Sequence, residues 1–183
     1  NYIFLSNNYM ALVKTNLTNI KCCIVGSCGV GKTSIIKKHL DKNIKNTDTT
    51  LGAIFWTMNH NPINGSSGFK IDFWDTAGQE RYNSLIPMYS RNSHIIIITF
   101  DIADTQSFFD LEKWLNTVSP YCNNSKFLLV GNKIDMELYR QVFESDVLNF
   151  IKKHKKYQMK YFETSAITGH NIPELFQYIL SLF

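Results

Sequence analysis

Eight consecutive residues constrain this chain more than any others: Gly26-Ser27-Cys28-Gly29-Val30-Gly31-Lys32-Thr33 fits G-x-x-x-x-G-K-[ST]. The motif follows an apolar run, residues 21–25, that reads as a buried strand, and it precedes residues 32–40, whose apolar spacing is helical. Glycines let backbone N–H groups wrap a phosphate chain, and the helix N-terminus adds positive potential. The Lys32 ammonium reaches the outer phosphates, and the Thr33 hydroxyl is placed to ligate magnesium.

The rest of the chain alternates in the same way. Residues 53–59 and 69–74 read as two strands joined by a turn-forming segment, 61–68, and residues 94–100, 126–130 and 160–163 as further short strands. Helical patterns fall at 106–118, 143–155 and 172–182. Strands alternating with helices imply right-handed crossovers and an α/β fold: a six-stranded, mostly parallel sheet with one antiparallel edge from the hairpin and helices on both faces. Ligands in such sheets bind at the carboxyl ends of the strands. With 183 residues, one domain is expected, residues 20–183, preceded by an N-terminal extension, residues 1–19.

Composition excludes several alternatives. Apolar residues make up 44% of the chain, enough for a core without disulfides or metals. The longest aliphatic run, Ile95 to Ile98, falls far short of the roughly 20 residues of a membrane span, and Tyr2 to Leu5 is too short for a signal peptide. Cys22, Cys23, Cys28 and Cys122 show no repeated CxxC spacing, which argues against a zinc site and for a reducing compartment. Cys22 and Cys23 lie on a core strand, whereas Cys122 is expected in an exposed loop. The net charge of +4 is too weak for a nucleic-acid protein. The tract Lys152-Lys153-His154-Lys155-Lys156 reads as a solvated helix end whose cations suit the dipole.

Three more groups fall at the carboxyl ends of expected strands. In Asp75-Thr76-Ala77-Gly78-Gln79-Glu80 a carboxylate can hold magnesium through water, a glycine N–H can approach a terminal phosphate, and an amide side chain can orient an attacking water. In Asn132-Lys133-Ile134-Asp135 a carboxylate can accept two hydrogen bonds from guanine, a pattern adenine cannot supply. Thr164-Ser165-Ala166 can offer a backbone N–H to the guanine oxygen. Each could be a plain turn in isolation; together, in this order and on one edge, they are not coincidental.

With these residues the sequence resembles the Ras superfamily of small GTPases from Lys21 to Phe183. Within it, Trp74-Asp75-Thr76-Ala77-Gly78-Gln79-Glu80-Arg81-Tyr82 resembles the Rab family. Two segments are similar to its early-endosomal branch, Leu51-Gly52-Ala53-Ile54-Phe55 and Tyr82-Asn83-Ser84-Leu85-Ile86-Pro87-Met88-Tyr89. The resemblance implies a phosphate-loop small G domain. Its nucleotide site would comprise Ser27, Cys28, Gly29, Val30, Gly31, Lys32, Thr33, Ser34, Thr50, Gly78, Asn132, Lys133, Asp135, Ser165, Ala166 and Ile167. Mg2+ would be held by Thr33, Thr50 and Asp75, and Gln79 would be the catalytic, water-orienting residue. Phe55, Trp74 and Tyr89 match an aromatic triad that presents the switch state to effectors; the alternative for these rings is a plain core.

The implied function is a GTP/GDP switch of vesicle or endosomal traffic with slow intrinsic hydrolysis; a nucleotide-bound scaffold that does not cycle is the alternative. Implied partners are an exchange factor, an activating protein supplying an arginine in trans, effectors, and a membrane reached through a lipid anchor not visible in residues 1–183. A cytoplasmic monomer, peripheral on endosomal or other vesicle membranes, is expected, and no nucleic acid. Several positions depart from the family pattern. Ile44 stands where an aromatic usually covers guanine, and Ile167 stands where Lys follows Ser-Ala. Cys28 replaces a small residue, and Thr50 arrives one residue early, which leaves Thr49 as the alternative.

Overall fold

Why residues 95–98 can be isoleucine without interruption follows from where they sit. In the computed structural model, which describes residues 18–41, 50–60 and 68–183, they form the centre of strand β4 (Ile95–Asp101), buried along its whole length. Alternate side chains point to opposite faces: Ile96 and Ile98 join one hydrophobic cluster, Ile95 and Ile97 the other. A strand covered on both faces needs no polar alternation.

The other elements are β1 (Thr18–Val25), α1 (Lys32–His39), β2 (Ala53–His60), β3 (Phe69–Thr76), α2 (Ile86–Ser90), α3 (Thr105–Phe109), α4 (Leu111–Val118), β5 (Lys126–Asn132), α5 (Glu144–Lys153), β6 (Lys160–Thr164) and α6 (Ile172–Ser181). The six strands form one sheet in the order β2-β3-β1-β4-β5-β6, with β2 antiparallel to β3 and every other pair parallel. One face packs Trp114, Leu115 and Val147 from α4 and α5; the other packs Ile35, Ile36, Leu175, Phe176 and Ile179 from α1 and α6. The expected sheet and its antiparallel edge are therefore observed.

Boundaries differ in instructive ways. Thr18 and Asn19 already pair with Phe69 and Lys70, so the sheet begins before residue 20. The helix expected over 106–118 is two, because Asp110 caps both the end of α3 and the start of α4. The helix expected to reach 155 stops at Lys153, and a short 3-10 turn, Lys155–Tyr157, leads into β6. Glu80–Leu85, a 3-10 turn, and α2 are too short to leave a periodic signature. Residues 61–67 of the expected hairpin loop lie outside the described residues.

His39, the last residue of α1, stacks face to face on Phe176 of α6, centroids 3.6 Å apart and planes 1° from parallel. Burial pulls its pKa from 6.5 down to about 4. The folded state therefore binds fewer protons than the unfolded chain between these values. The stabilisation is complete above pH 6.5 and is lost as pH falls toward 4. We expect His39→Phe, which keeps the stack, to lose less stability than the parent between neutral and mildly acid pH. After allowance for solvent screening the difference should be on the order of 1 kcal/mol. Denaturant titrations at two pH values measure it; equal losses would show that His39 is not the acid-sensitive group.

Candidate functional site

The loop between β1 and α1 is tied from several sides. Lys32 is buried, and its Nζ donates to the carbonyls of Gly26 at 2.7 Å and Ser27 at 2.9 Å, which arches the backbone. Gly31, at φ 97°, precedes α1 and provides no side-chain cap, and the first turn carries no acidic residue. The N–H groups of the helix start are thus left for an anion. A Cβ on Gly31 would run into the Asn132 amide, so glycine is required here by both conformation and space. Burial lowers the Lys32 pKa to about 8, partly opposed by the negative charge of Asp75.

Asp75, near the carboxyl end of β3, is wholly buried, and neither carboxylate oxygen has a hydrogen-bond partner of good geometry among the described residues. Burial pushes its carboxyl upward, offset in part by the nearby Thr33 hydroxyl and by Lys32. The Thr33 and Thr50 hydroxyls face one another at 3.0 Å, both buried. An orphaned carboxylate beside two hydroxyls is an all-oxygen donor set, and it suits a hard divalent cation such as Mg2+. The Thr50 hydroxyl lies beside that of Thr33; Thr49 and Ile44 lie outside the described residues.

Gly78 passes so close to the phosphate loop that an added Cβ would lie 2.5 Å from the Ser27 carbonyl and the Cys28 nitrogen. Only glycine brings this backbone against the loop. Gln79 follows, half-buried, its Oε1 accepting from Arg81 Nε at 2.8 Å. Arg140 is committed to Glu137 and Glu163, and Arg91 lies over Tyr121. Arg81 is thus the arginine beside the loops, and in this conformation it holds the glutamine.

Asn132 ends β5, buried, and braces three loops. Its Nδ2 donates to Val30 O at 2.9 Å, while its Oδ1 accepts from Thr164 Oγ1 at 3.1 Å and Ala166 N at 3.3 Å. Its side chain is a cross-brace, whereas Asp135 is exposed and free to meet a ligand. Ser165 Oγ donates to Asp135 Oδ1 at 2.5 Å and fixes the carboxylate. Lys133, at φ 70°, pairs with Asp101 at 2.6 Å. Ile167 is 68% exposed beside this pocket, in contact through its carbonyl with Lys38. Ser34 lies half-buried within α1.

Two partners of the site were beyond reach of the motifs. Asp101, at the carboxyl end of β4, could have been noted from its position; Asp110 offered no signal. Ser27 Oγ donates to Asp110 Oδ2 at 2.7 Å and accepts from Trp114 Nε1 at 3.2 Å, which ties the phosphate loop to the junction of α3 and α4.

Phe55, Trp74 and Tyr89 come together on the surface: Phe55 meets Trp74 edge-on at 5.3 Å, Tyr89 stacks on Trp74 at 5.7 Å, and Phe55 stays 50% exposed. Trp74 and Tyr89 also pack against the hydrophobic cluster, so of the three rings Phe55 is the one presented to solvent.

The cysteines divide differently than expected. Cys28 is exposed, and Cys22 and Cys23 are buried as anticipated, but Cys122 is also buried, 4% exposed, with Sγ donating to Ser90 O at 3.2 Å. The loop folds back on α2, so Cys122 is no exposed reference thiol. Iodoacetamide should therefore label Cys28 almost alone, fastest in nucleotide-free protein, slower with GDP and slowest with a GTP analogue. Timed peptide mapping measures this; equal labelling in all three states would place Cys28 away from the phosphates.

The glycine loop before α1, the buried Asp75 near the facing hydroxyls of Thr33 and Thr50, and the exposed Asp135 carboxylate all lie at the carboxyl edge of one α/β sheet. A sequence model of the Ras family matches residues 21–183. The chain is 36% identical over 174 residues to Rab-27B of Homo sapiens, spanning 89% of this chain and 78% of that protein. It is 35% identical over 164 residues to Rab-18-B of Danio rerio, spanning 88% and 77%. With RABF2b of Arabidopsis thaliana the identity is 34% over 169 residues, spanning 91% and 82%. The chain belongs to the Ras family, as a Rab-type small GTPase that hydrolyses GTP and serves as a GTP-binding switch in membrane traffic.

Proposed function

We propose that the four loops at the carboxyl edge form one site that binds GTP, positions water for its hydrolysis and reports the outcome through residues 50–60 and 75–90. The observation that carries this is Asp75: a buried carboxylate with no hydrogen-bond partner of good geometry among the described residues, next to the facing hydroxyls of Thr33 and Thr50. Thr33, Thr50 and Asp75 would hold Mg2+, Asp75 through water, and the ion would neutralise charge on the outer phosphate oxygens. Lys32 and the backbone N–H groups of 28–34 bind the phosphates, and the Gly78 N–H meets the γ-phosphate. Gln79 leaves Arg81 to orient the attacking water. Asp135 accepts from the guanine N1–H and 2-amino group, Ala166 N–H donates to the guanine oxygen, and the Lys133 stem and Ile167 cover the base. Departure of γ-phosphate removes the contacts that hold Thr50 and Gly78, so both segments relax.

Phe55, Trp74 and Tyr89 then offer effectors a surface that differs between the two states. An exchange factor, an activating protein donating an arginine in trans, and a lipid anchor complete the cycle of a monomer peripheral to endosomal or other vesicle membranes. The early-endosomal reading is supported by residues 51–55 and 82–89.

Single-turnover phosphate release tests the cycle. It should be slow alone and rise by roughly 10³-fold or more with a Rab-activating catalytic domain. Nucleotide bound but never cleaved under either condition would favour the non-cycling scaffold.

A further inference from the structure

The lysine tract 152–156 has no part in the nucleotide site. Because β4, β5 and β6 are parallel, the segments that lead into them, residues 90–94, 119–126 and 152–160, close the same amino-terminal edge of the sheet. Together they carry Arg91, Lys126, Lys152, Lys153, Lys155, Lys156 and Lys160, and not one Asp or Glu. These seven positive charges exceed the +4 of the entire chain, so the remainder of the molecule is net negative. Among the described residues Glu112 of α4 pairs with Lys153, at 3.0 Å, and His154, at 2.9 Å. Lys126, Lys152, Lys155 and Lys160 are exposed and have no carboxylate partner among the described residues.

Within this edge lies a cavity of about 640 Å³ whose walls include Lys126, Lys156, Tyr157, Tyr178, Asn123 and Ser125. Lys156 Nζ sits over the Tyr157 ring, 4.7 Å from its centroid. Two lysines in the walls of one cavity can supply point charges for phosphate, and the serine and asparagine hydrogen bonds for hydroxyl groups. β5 runs seven residues from Lys126 to Asn132; at about 3.3 Å per residue the cavity is about 20 Å from the base-binding loops.

We propose that this cavity binds the phosphorylated polyol headgroup of an anionic membrane lipid, an inositol phosphate being the chemical fit. The unpaired Lys152, Lys155 and Lys160 lie outside the cavity walls, where one soluble polyphosphate would leave them unused and an extended anionic surface would meet them. A nucleic-acid strand is disfavoured because the Tyr157 face it would stack on is covered by Lys156.

The test is vesicle flotation of the full chain loaded with GDP. Phosphatidylcholine vesicles carry either a phosphatidylinositol phosphate or phosphatidylserine at equal total charge. The inositol lipid should retain the protein better, and Lys126→Gln with Lys156→Gln should weaken that retention about tenfold or more. Fluorescent GDP release and GTP hydrolysis by the double variant should be unchanged, which also shows that it is folded. Equal retention on both lipids would reduce the edge to a diffuse field and overturn the headgroup site. Tight binding of soluble inositol hexakisphosphate without flotation would overturn the membrane source, and stronger binding of an oligonucleotide than of either vesicle would overturn the lipid assignment.

Discussion

Asp135→Asn should change which base the protein binds. The carboxylate projects from the loop after β5 with one oxygen fixed by Ser165, a geometry suited to accepting two donors from guanine. An amide accepts at only one of its two atoms, so the 2-amino group of guanine would face an N–H instead. Hydrogen bonds to a charged group are worth about 1.5–3 kcal/mol each. Losing one and reducing the other to a neutral hydrogen bond implies a weakening of roughly 10²- to 10³-fold for GDP. Xanthine carries a carbonyl at that position and should gain affinity. Titration with fluorescent GDP and XDP reads both changes, and an unaltered preference for GDP would remove Asp135 from the base site.

Gln79→Leu should bind nucleotide nearly as well as the parent yet cleave GTP slower by an order of magnitude or more, since only water positioning is removed. The side chain lies beside the phosphate loop but not within its framework: among the described residues its carboxamide bonds only Arg81, so leucine costs the fold little. Single-turnover cleavage with matched GDP affinities separates the two effects. A variant as fast as the parent would show that Gln79 is not catalytic, and loss of binding would mean that the segment after β3 holds the site together.

These expectations were open to sequence reasoning because their signals are local. A strand, a glycine loop and a helix occupy one short stretch around Lys32, and Asp135 and Gln79 each fall just past an apolar run. What escaped the sequence depends on contacts far apart in the chain. Asn132 reads as a base-binding residue, but it meets Val30 and Thr164 as a brace because β5 lies between β4 and β6 with the phosphate loop above it. Asp110 breaks a continuous helical pattern and holds Ser27, 83 positions away, an arrangement no periodicity encodes. Cys122 departs from expectation for the same reason: a polar, turn-rich neighbourhood points to exposure, while the fold closes that turn onto Ser90. Thr50 is the converse case. Its early arrival made it ambiguous in the sequence, yet its hydroxyl lies beside Thr33.

The most direct test is the identity of the nucleotide that the folded protein retains through purification, released by denaturation and separated by chromatography. Lys32 with the phosphate loop and Asp135 with the base loop, both on one sheet edge, predict stoichiometric guanine nucleotide, retained in Mg2+ and lost when a chelator is added. An adenine nucleotide, or protein that neither retains nor takes up any nucleotide, would contradict a single guanine site built from these loops.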